Sequence, residues 1–254
     1  MAINWRERFL AFAIHFMVTL AMGACSAALI FLVWFPDPYQ TMVGGTQLFE
    51  LVVACDLVLG PLISLVIYDT RKSRRKLVLD YTIVGVVQIA ALLYGVYIVA
   101  GTRPVYLVFS TDRFEVVLAR DISETELAAA RDPQYAKLPL DGPHLIAVQV
   151  PKAEQQDAMF QSVAGNEEHD RPRFYAPFET ALPTIRRRAR TVDWLTARLP
   201  PSKPLFDAAM KNVTIPAERV RWLPVRHRLG FWTALIDTED GKPIAWVAFD
   251  PYGN

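Results

Sequence analysis

Three apolar stretches within the first hundred residues leave a chain like this few ways to fold. Residues 9–35 carry no acidic or basic side chain except His15, residues 48–68 are interrupted by Glu50 and Asp56, and residues 77–100 by Asp80. Each reaches the ~20 residues that a helix needs to cross ~30 Å of hydrocarbon. The pattern predicts an integral membrane protein, with a three-helix transmembrane domain in residues 1–100 and a separate domain in residues 101–254. Met22-Gly23-Ala24-Cys25 imitates a lipoprotein cleavage box, but apolar residues run on well past Cys25, so the first segment is expected to stay as a helix.

Charge separates the two parts. Residues 1–100 hold seven Lys/Arg and six Asp/Glu, which leaves 20 of each for residues 101–254. The second part is polar and balanced, and without a basic surplus, binding to nucleic acid loses its usual driving force. Cys25 and Cys55 both lie in apolar runs, which excludes a disulfide framework for an exported domain and a zinc site.

Orientation follows from Lys and Arg. The loop 69–76, Asp-Thr-Arg-Lys-Ser-Arg-Arg-Lys, has five basic residues, whereas the loop 36–47 has none. The positive-inside rule places the N-terminus and the 69–76 loop in the cytoplasm. Three crossings then put residues 101–254 outside the inner membrane, in the periplasm. Trp5 is expected at the inner interface, and Trp34, Phe35 and Tyr39 at the outer one.

Asp56 is the most informative residue of the membrane half. It lies about eight residues from the outer end of helix two, where a carboxylate facing lipid would cost several kcal/mol, so it is expected to face protein. At 1.5 Å per residue, Gln88 of helix three falls at nearly the same depth, close to Cys25 and Ser26 of helix one. Gly60 permits close helix approach and Pro61 cannot donate to the carbonyl of Leu57, so a kink beside Asp56 is expected. Asp56, Gly60, Pro61 and Gln88 thus define a candidate polar layer. Two roles stay open for Asp56: a hydrogen-bonded carboxyl that holds the bundle, or a contact for a polar group on a client helix. Glu50, Asp80 and His15 read as snorkelling or packed residues. Asp56 and Asp80 lie on the order of 13 Å apart along the bundle axis, too far to share a proton as an aspartyl protease requires.

Beyond Gly101 the pattern changes. Residues 105–109 and 114–119 read as a hairpin, Ser123 to Glu126 as a capping box ahead of a short helix, and 144–150 as a strand. Residues 153–163 have helical composition, 165–177 read as polar loop, and 184–199 as one helix with Arg186, Arg187 and Arg188 near its start. A short helix over 205–211 precedes three strands at 219–225, 231–236 and 244–249, the last two joined through Asp240-Gly241, a strong hairpin signal. The expected fold is α+β, with a mostly antiparallel sheet of five or six strands. The three arginines read as a solvated helix face or, more sharply, as a contact surface for a partner or for lipid headgroups.

Catalytic motifs are missing. The sequence has no Gly-rich phosphate loop, no nucleophile elbow and no paired histidines at metal spacing. His169-Asp170 looks like an HD metal dyad but stands in a loop. Neither a metal, a cofactor nor an enzymatic activity is expected.

The chain closely resembles the TfpX/TfpZ-type accessory proteins of type IV pilins, sometimes labelled FimB. The resemblance is carried by Asp56-Leu57-Val58-Leu59-Gly60-Pro61-Leu62, by the basic loop, and by Asp80 with Gln88-Ile89-Ala90-Ala91-Leu92-Leu93-Tyr94-Gly95. It continues through Arg103-Pro104-Val105-Tyr106-Leu107-Val108-Phe109, Asp112-Arg113-Phe114, Val116-Val117 and Arg221-Trp222-Leu223-Pro224-Val225. Residues 121–215 contribute no matching motif. The resemblance implies a non-enzymatic, chaperone-like protein of the bacterial inner membrane that assists the stability, assembly or dynamics of its cognate major pilin. Other pilus assembly proteins are further implied partners. The competing class is a membrane-anchored periplasmic sensor or ligand-binding module; with so little of the chain inside the cell, it would need a partner for output.

Overall fold

The computed structural model describes residues 5–44, 47–68 and 72–253. Expectations that fall on Gly45, Thr46, Asp69, Thr70 and Arg71, including part of the basic loop, lie outside the described residues. The chain divides into two compact units, one formed by residues 1–36 and 44–102, the other by 37–43 and 103–254.

The first unit contains three helices long and apolar enough to cross a membrane, spanning Trp5–Trp34, Phe49–Ile67 and Arg74–Thr102. Helix α1 (Trp5–Ala28) passes into a π-helical stretch, Leu29–Trp34. A short helix α2 (Tyr39–Val43) follows, and then α3 (Gln47–Ile67), which runs through Pro61, and α4 (Arg74–Thr102). Both α1 and α4 pack on α3, with Gly60 buried along its face. Most other apolar side chains point outward: Leu32, Val66, Val86 and Leu93 are among the exposed ones. Such a surface suits hydrocarbon rather than water.

The second unit is built on a seven-stranded sheet in the order β4-β3-β1-β2-β5-β6-β7. Its centre is the hairpin of β1 (Pro104–Ser110) and β2 (Arg113–Leu118), turned at Thr111, which adopts a positive φ. The others are β3 (His144–Val148), β4 (Tyr175–Pro177), β5 (Val220–His227), β6 (Gly230–Asp237) and β7 (Pro243–Val247).

The sheet is mixed, which corrects the expectation of a mostly antiparallel one. β3 runs parallel to β1, and β5 parallel to β2; the other four pairings are antiparallel. The cause lies in the connections. A parallel pair needs a crossover of roughly a dozen residues or more, and both new strands arrive by such routes. The path to β3 contains α5 (Glu124–Ala128), and the path to β5 contains α6 (Gln155–Val163), α7 (Leu182–Arg188), α8 (Val192–Arg198) and α9 (Lys203–Met210). β4 is a seventh strand within the segment expected to be loop.

The single helix expected over 184–199 is two. Between α7 and α8, the backbone of Arg190 exchanges hydrogen bonds with Trp222 of β5, which pulls the chain out of helical geometry. Thr191 then caps α8 by accepting from the amide of Trp194. The β6–β7 turn does use Gly241, at φ +74°.

Apolar clusters among the described residues pack both ends of the sheet. One joins Val105, Val108, Val117 and Ile146 to an edge-to-face set of Tyr106, Tyr135 and Tyr175. Another sets Leu195 of α8 and Phe206 of α9 against Val220, Trp222, Leu235 and Val247. The segment 37–43 belongs to this unit. Tyr39 stacks edge-on against Trp246 at 5.9 Å, and Met42 and Val43 are buried. Tyr39, expected at a lipid interface, is thus a core residue.

Candidate functional site

The polar layer of the helical unit is organised around His15. Its Nε2 donates to Gln88 Oε1 at 2.7 Å and its Nδ1 meets the Ser64 hydroxyl, so one imidazole joins α1, α3 and α4. Sequence position alone explains the set. Asp56, Gly60 and Ser64 recur every four residues and share a face of α3. Gly60 makes room for Gln88: a Cβ at position 60 would overlap its amide group. Gln88 Nε2 is buried with no hydrogen-bond partner among the described residues.

Beside these groups is a cavity of about 130 Å³, lined by His15, Thr19, Val53, Asp56, Gly85 and Gln88 among others. Asp56 and Gln88 thus line one space, whereas Cys25 is exposed and outside that lining. Asp56 has no hydrogen-bond or ionic partner among the described residues, so within this layer the helices are joined through His15, Ser64 and Gln88, while Arg8 of α1 separately reaches Leu65 O of α3 at 3.3 Å. His15, expected as a packed or snorkelling residue, is packed and hydrogen-bonded; its polarity in an otherwise uncharged run was the available signal for a role in the layer. Asp80 pairs with Lys72 at 2.6 Å, and Glu50 is exposed.

The three arginines expected to form one surface separate. Arg186 donates from Nε to Thr238 O at 2.9 Å and from Nη2 to Glu239 O at 2.7 Å, latching the β6–β7 turn. Arg187 reaches only Thr184 at 3.2 Å. Arg188 lines a cleft with Arg190, Trp194, Arg198, Trp222 and Tyr252.

A buried charge cluster lies at the short parallel seam of β2 and β5, where Glu115 and Arg226 are register partners. Arg226 grips Glu167 with two hydrogen bonds, at 2.6 and 3.0 Å, and its Nε lies 3.6 Å from Glu115, as does that of Arg113. Burial pushes Glu115 up to about 8 against the pull of these guanidiniums. It also pushes Asp170 up to about 7, helped by Asp121 and Glu167, and lowers His169 to about 4 although Glu167 opposes the shift. His169 and Asp170 are 3.8 Å apart in this cluster. Among the described residues no group of three His, Cys, Asp or Glu is placed to hold a metal.

The pH dependence follows with a definite sign. Glu115 and Asp170 have folded values above their unfolded ones, so the stability they lend is present in acid and is lost as pH rises toward 8. His169 is depressed, so its contribution is present above about pH 6.5 and is lost on acidification toward 4. From pH 6.5 to 8 the carboxyls dominate, and stability should fall by on the order of 1 kcal/mol. Thermal unfolding of the full chain should show this decline, and Glu115→Gln should flatten it; parallel profiles for parent and variant would exclude Glu115 as the cause.

Comparison with known proteins bears on both units. The family model described as fimbrial assembly protein FimB matches residues 3–44. "Fimbrial assembly protein, serogroup I" of Dichelobacter nodosus is 30% identical over 240 residues, covering 91% of this chain and 93% of the relative. The chain belongs to the FimB fimbrial assembly protein family. A second relative from the same organism, "Fimbrial assembly protein, serogroup E1", is 28% identical over the same shares of both chains, and that of "serogroups C1 and C2" is 35% identical over 129 residues. The similarity to FimB proteins therefore extends over the helices and the sheet unit together. No solved structure matches the chain.

Proposed function

We propose that this FimB-family chain is an inner-membrane accessory protein of its cognate type IV major pilin, acting by binding rather than by catalysis on the pilin's stability, assembly or dynamics. The N-terminus and the 69–76 loop face the cytoplasm and the sheet unit faces the periplasm, with membrane lipid around the three helices. Other pilus assembly proteins are further partners. The observation that carries the reading is the similarity to fimbrial assembly proteins over 91% of the chain, helices and sheet unit alike. Asp56 supports it: an ionisable group in an apolar helix, lining a cavity and lacking a partner among the described residues, is suited to a polar group arriving from another helix.

Photo-crosslinkers at Met22, which lines the cavity, and at Arg187 should trap the pilin in intact membranes, and reporter fusions after residues 73 and 115 should read cytoplasmic and periplasmic. Asp56→Leu should reduce trapping from Met22 at unchanged protein abundance. Failure to recover pilin from either position, or the reverse reporter pattern, would sink the proposal.

A further inference from the structure

The cleft at the junction of α8, β5 and the C-terminal turn has a chemistry that the family resemblance does not account for. It measures about 290 Å³ and is lined by Arg188, Arg190, Arg198, Trp194, Trp222 and Tyr252, with Asp112 as its one acidic residue. That is near the lower end of the ~300–1,000 Å³ typical of ligand clefts. Asp112 is already engaged by Arg113 at 3.1 Å. None of the three cleft arginines has a carboxylate partner among the described residues, and all three are exposed.

Their arrangement is built rather than scattered. Trp194 stacks on Trp222 with ring centres 6.2 Å apart and planes inclined by 24°. The Arg190 guanidinium sits over the Trp194 ring at 4.2 Å, and that of Arg198 at 5.6 Å. A guanidinium held over an indole face by cation–π attraction keeps N–H donors free for other acceptors. Guanidiniums match carboxylates in bidentate geometry. Trp222 itself is buried and backs the stacked Trp194 ring. The cleft therefore presents three guanidiniums on aromatic walls, with Asp112 as the one carboxylate in its lining.

We infer that this cleft binds an acidic peptide segment of a partner protein, with side-chain carboxylates received by Arg188, Arg190 and Arg198 and the chain laid against Trp194 and Tyr252. Charge complementarity selects the carboxylates; the aromatic walls and the flanking Pro224 and Pro251 favour a peptide over a small free anion. The inference rests on the cleft alone and does not require the partner to be a pilin.

The test uses the full chain in neutral detergent and a short fluorescein-labelled peptide of alternating glycine, aspartate and glutamate. Its Asn/Gln counterpart serves as the uncharged probe. Saturable binding is expected, accompanied by quenching of tryptophan fluorescence, with the uncharged peptide roughly tenfold weaker or more. The double variant Arg190→Gln/Arg198→Gln should lose binding by a similar factor, while Lys137→Gln, exposed and outside the cleft, should bind as the parent does. Equal affinity for the two peptides on the unmodified chain would overturn the inference without recourse to any variant. So would full binding by the double variant, or displacement of the peptide by short-chain phosphatidylglycerol at lower concentration than by unlabelled peptide, which would assign the cleft to lipid. Loss of pilin crosslinking with peptide binding intact would instead fault the proposed function and leave this inference standing.

Discussion

Replacing Gly60 with leucine is expected to dismantle the polar layer of the helical unit and to lower the yield of folded protein several-fold, with Gly60→Ala intermediate. Any Cβ at this position overlaps the Gln88 amide. Alanine can be accommodated if the flexible glutamine swings aside, which breaks its bond to His15; leucine also fills the adjoining space and forces α3 and α4 apart. Overpacking costs ~1–3 kcal/mol, and each lost interhelical hydrogen bond in an apolar setting ~1 kcal/mol. Evicting Gln88 also places an unpaired amide among apolar surfaces. Abundance in membranes and thermal unfolding in detergent should rank parent, Gly60→Ala and Gly60→Leu in that order. A Gly60→Leu protein with parental abundance and melting temperature would show that the close approach is dispensable.

The second large effect is expected at the segment 37–43. Tyr39→Ala combined with Met42→Ala should lower the melting temperature of the sheet unit by on the order of 10 °C, because each truncation of a buried aromatic or methionine costs ~2–5 kcal/mol and a unit of this size shifts by ~2–4 °C per kcal/mol. Residues 103–254 expressed alone lack the Tyr39 ring that packs on Trp246 and the buried side chains of Met42 and Val43. They should be protease-sensitive, and joining residues 37–43 to them through a flexible linker should restore protection. Equal protease resistance with and without the segment would contradict its assignment to the core.

Local signals in the chain were legible where they were strong. The apolar runs announced three helices, the capping box at Ser123 and the Asp240-Gly241 turn each marked an element, and the depth of Asp56 and Gln88 brought both to one cavity. Strand direction was not legible, because side-chain alternation is the same whichever way a neighbour runs; only the crossovers after β2 and β3 decide it. The break at Ala189 and Arg190 was hidden for a related reason. Its cause is a backbone pairing with Trp222, a residue distant in sequence. The partners of His15 and the core position of Tyr39 were hidden alike, because Ser64 and Gln88 in one case and Trp246 in the other lie on other elements.

The two margins of the sheet constrain how other proteins can use it. β4 is only three residues long and ends in Pro177, while β7 begins at Pro243 and its pairing with β6 is interrupted by a bulge between Leu235 and Ile236. Short margins, prolines and bulges are the usual means of refusing an incoming strand. A neighbour therefore cannot dock here simply by extending the ladder with its own main chain, a mode that is tolerant of sequence. Recognition is left to side chains and to shape, so substitutions on a few surface residues suffice to retune which neighbour is accepted.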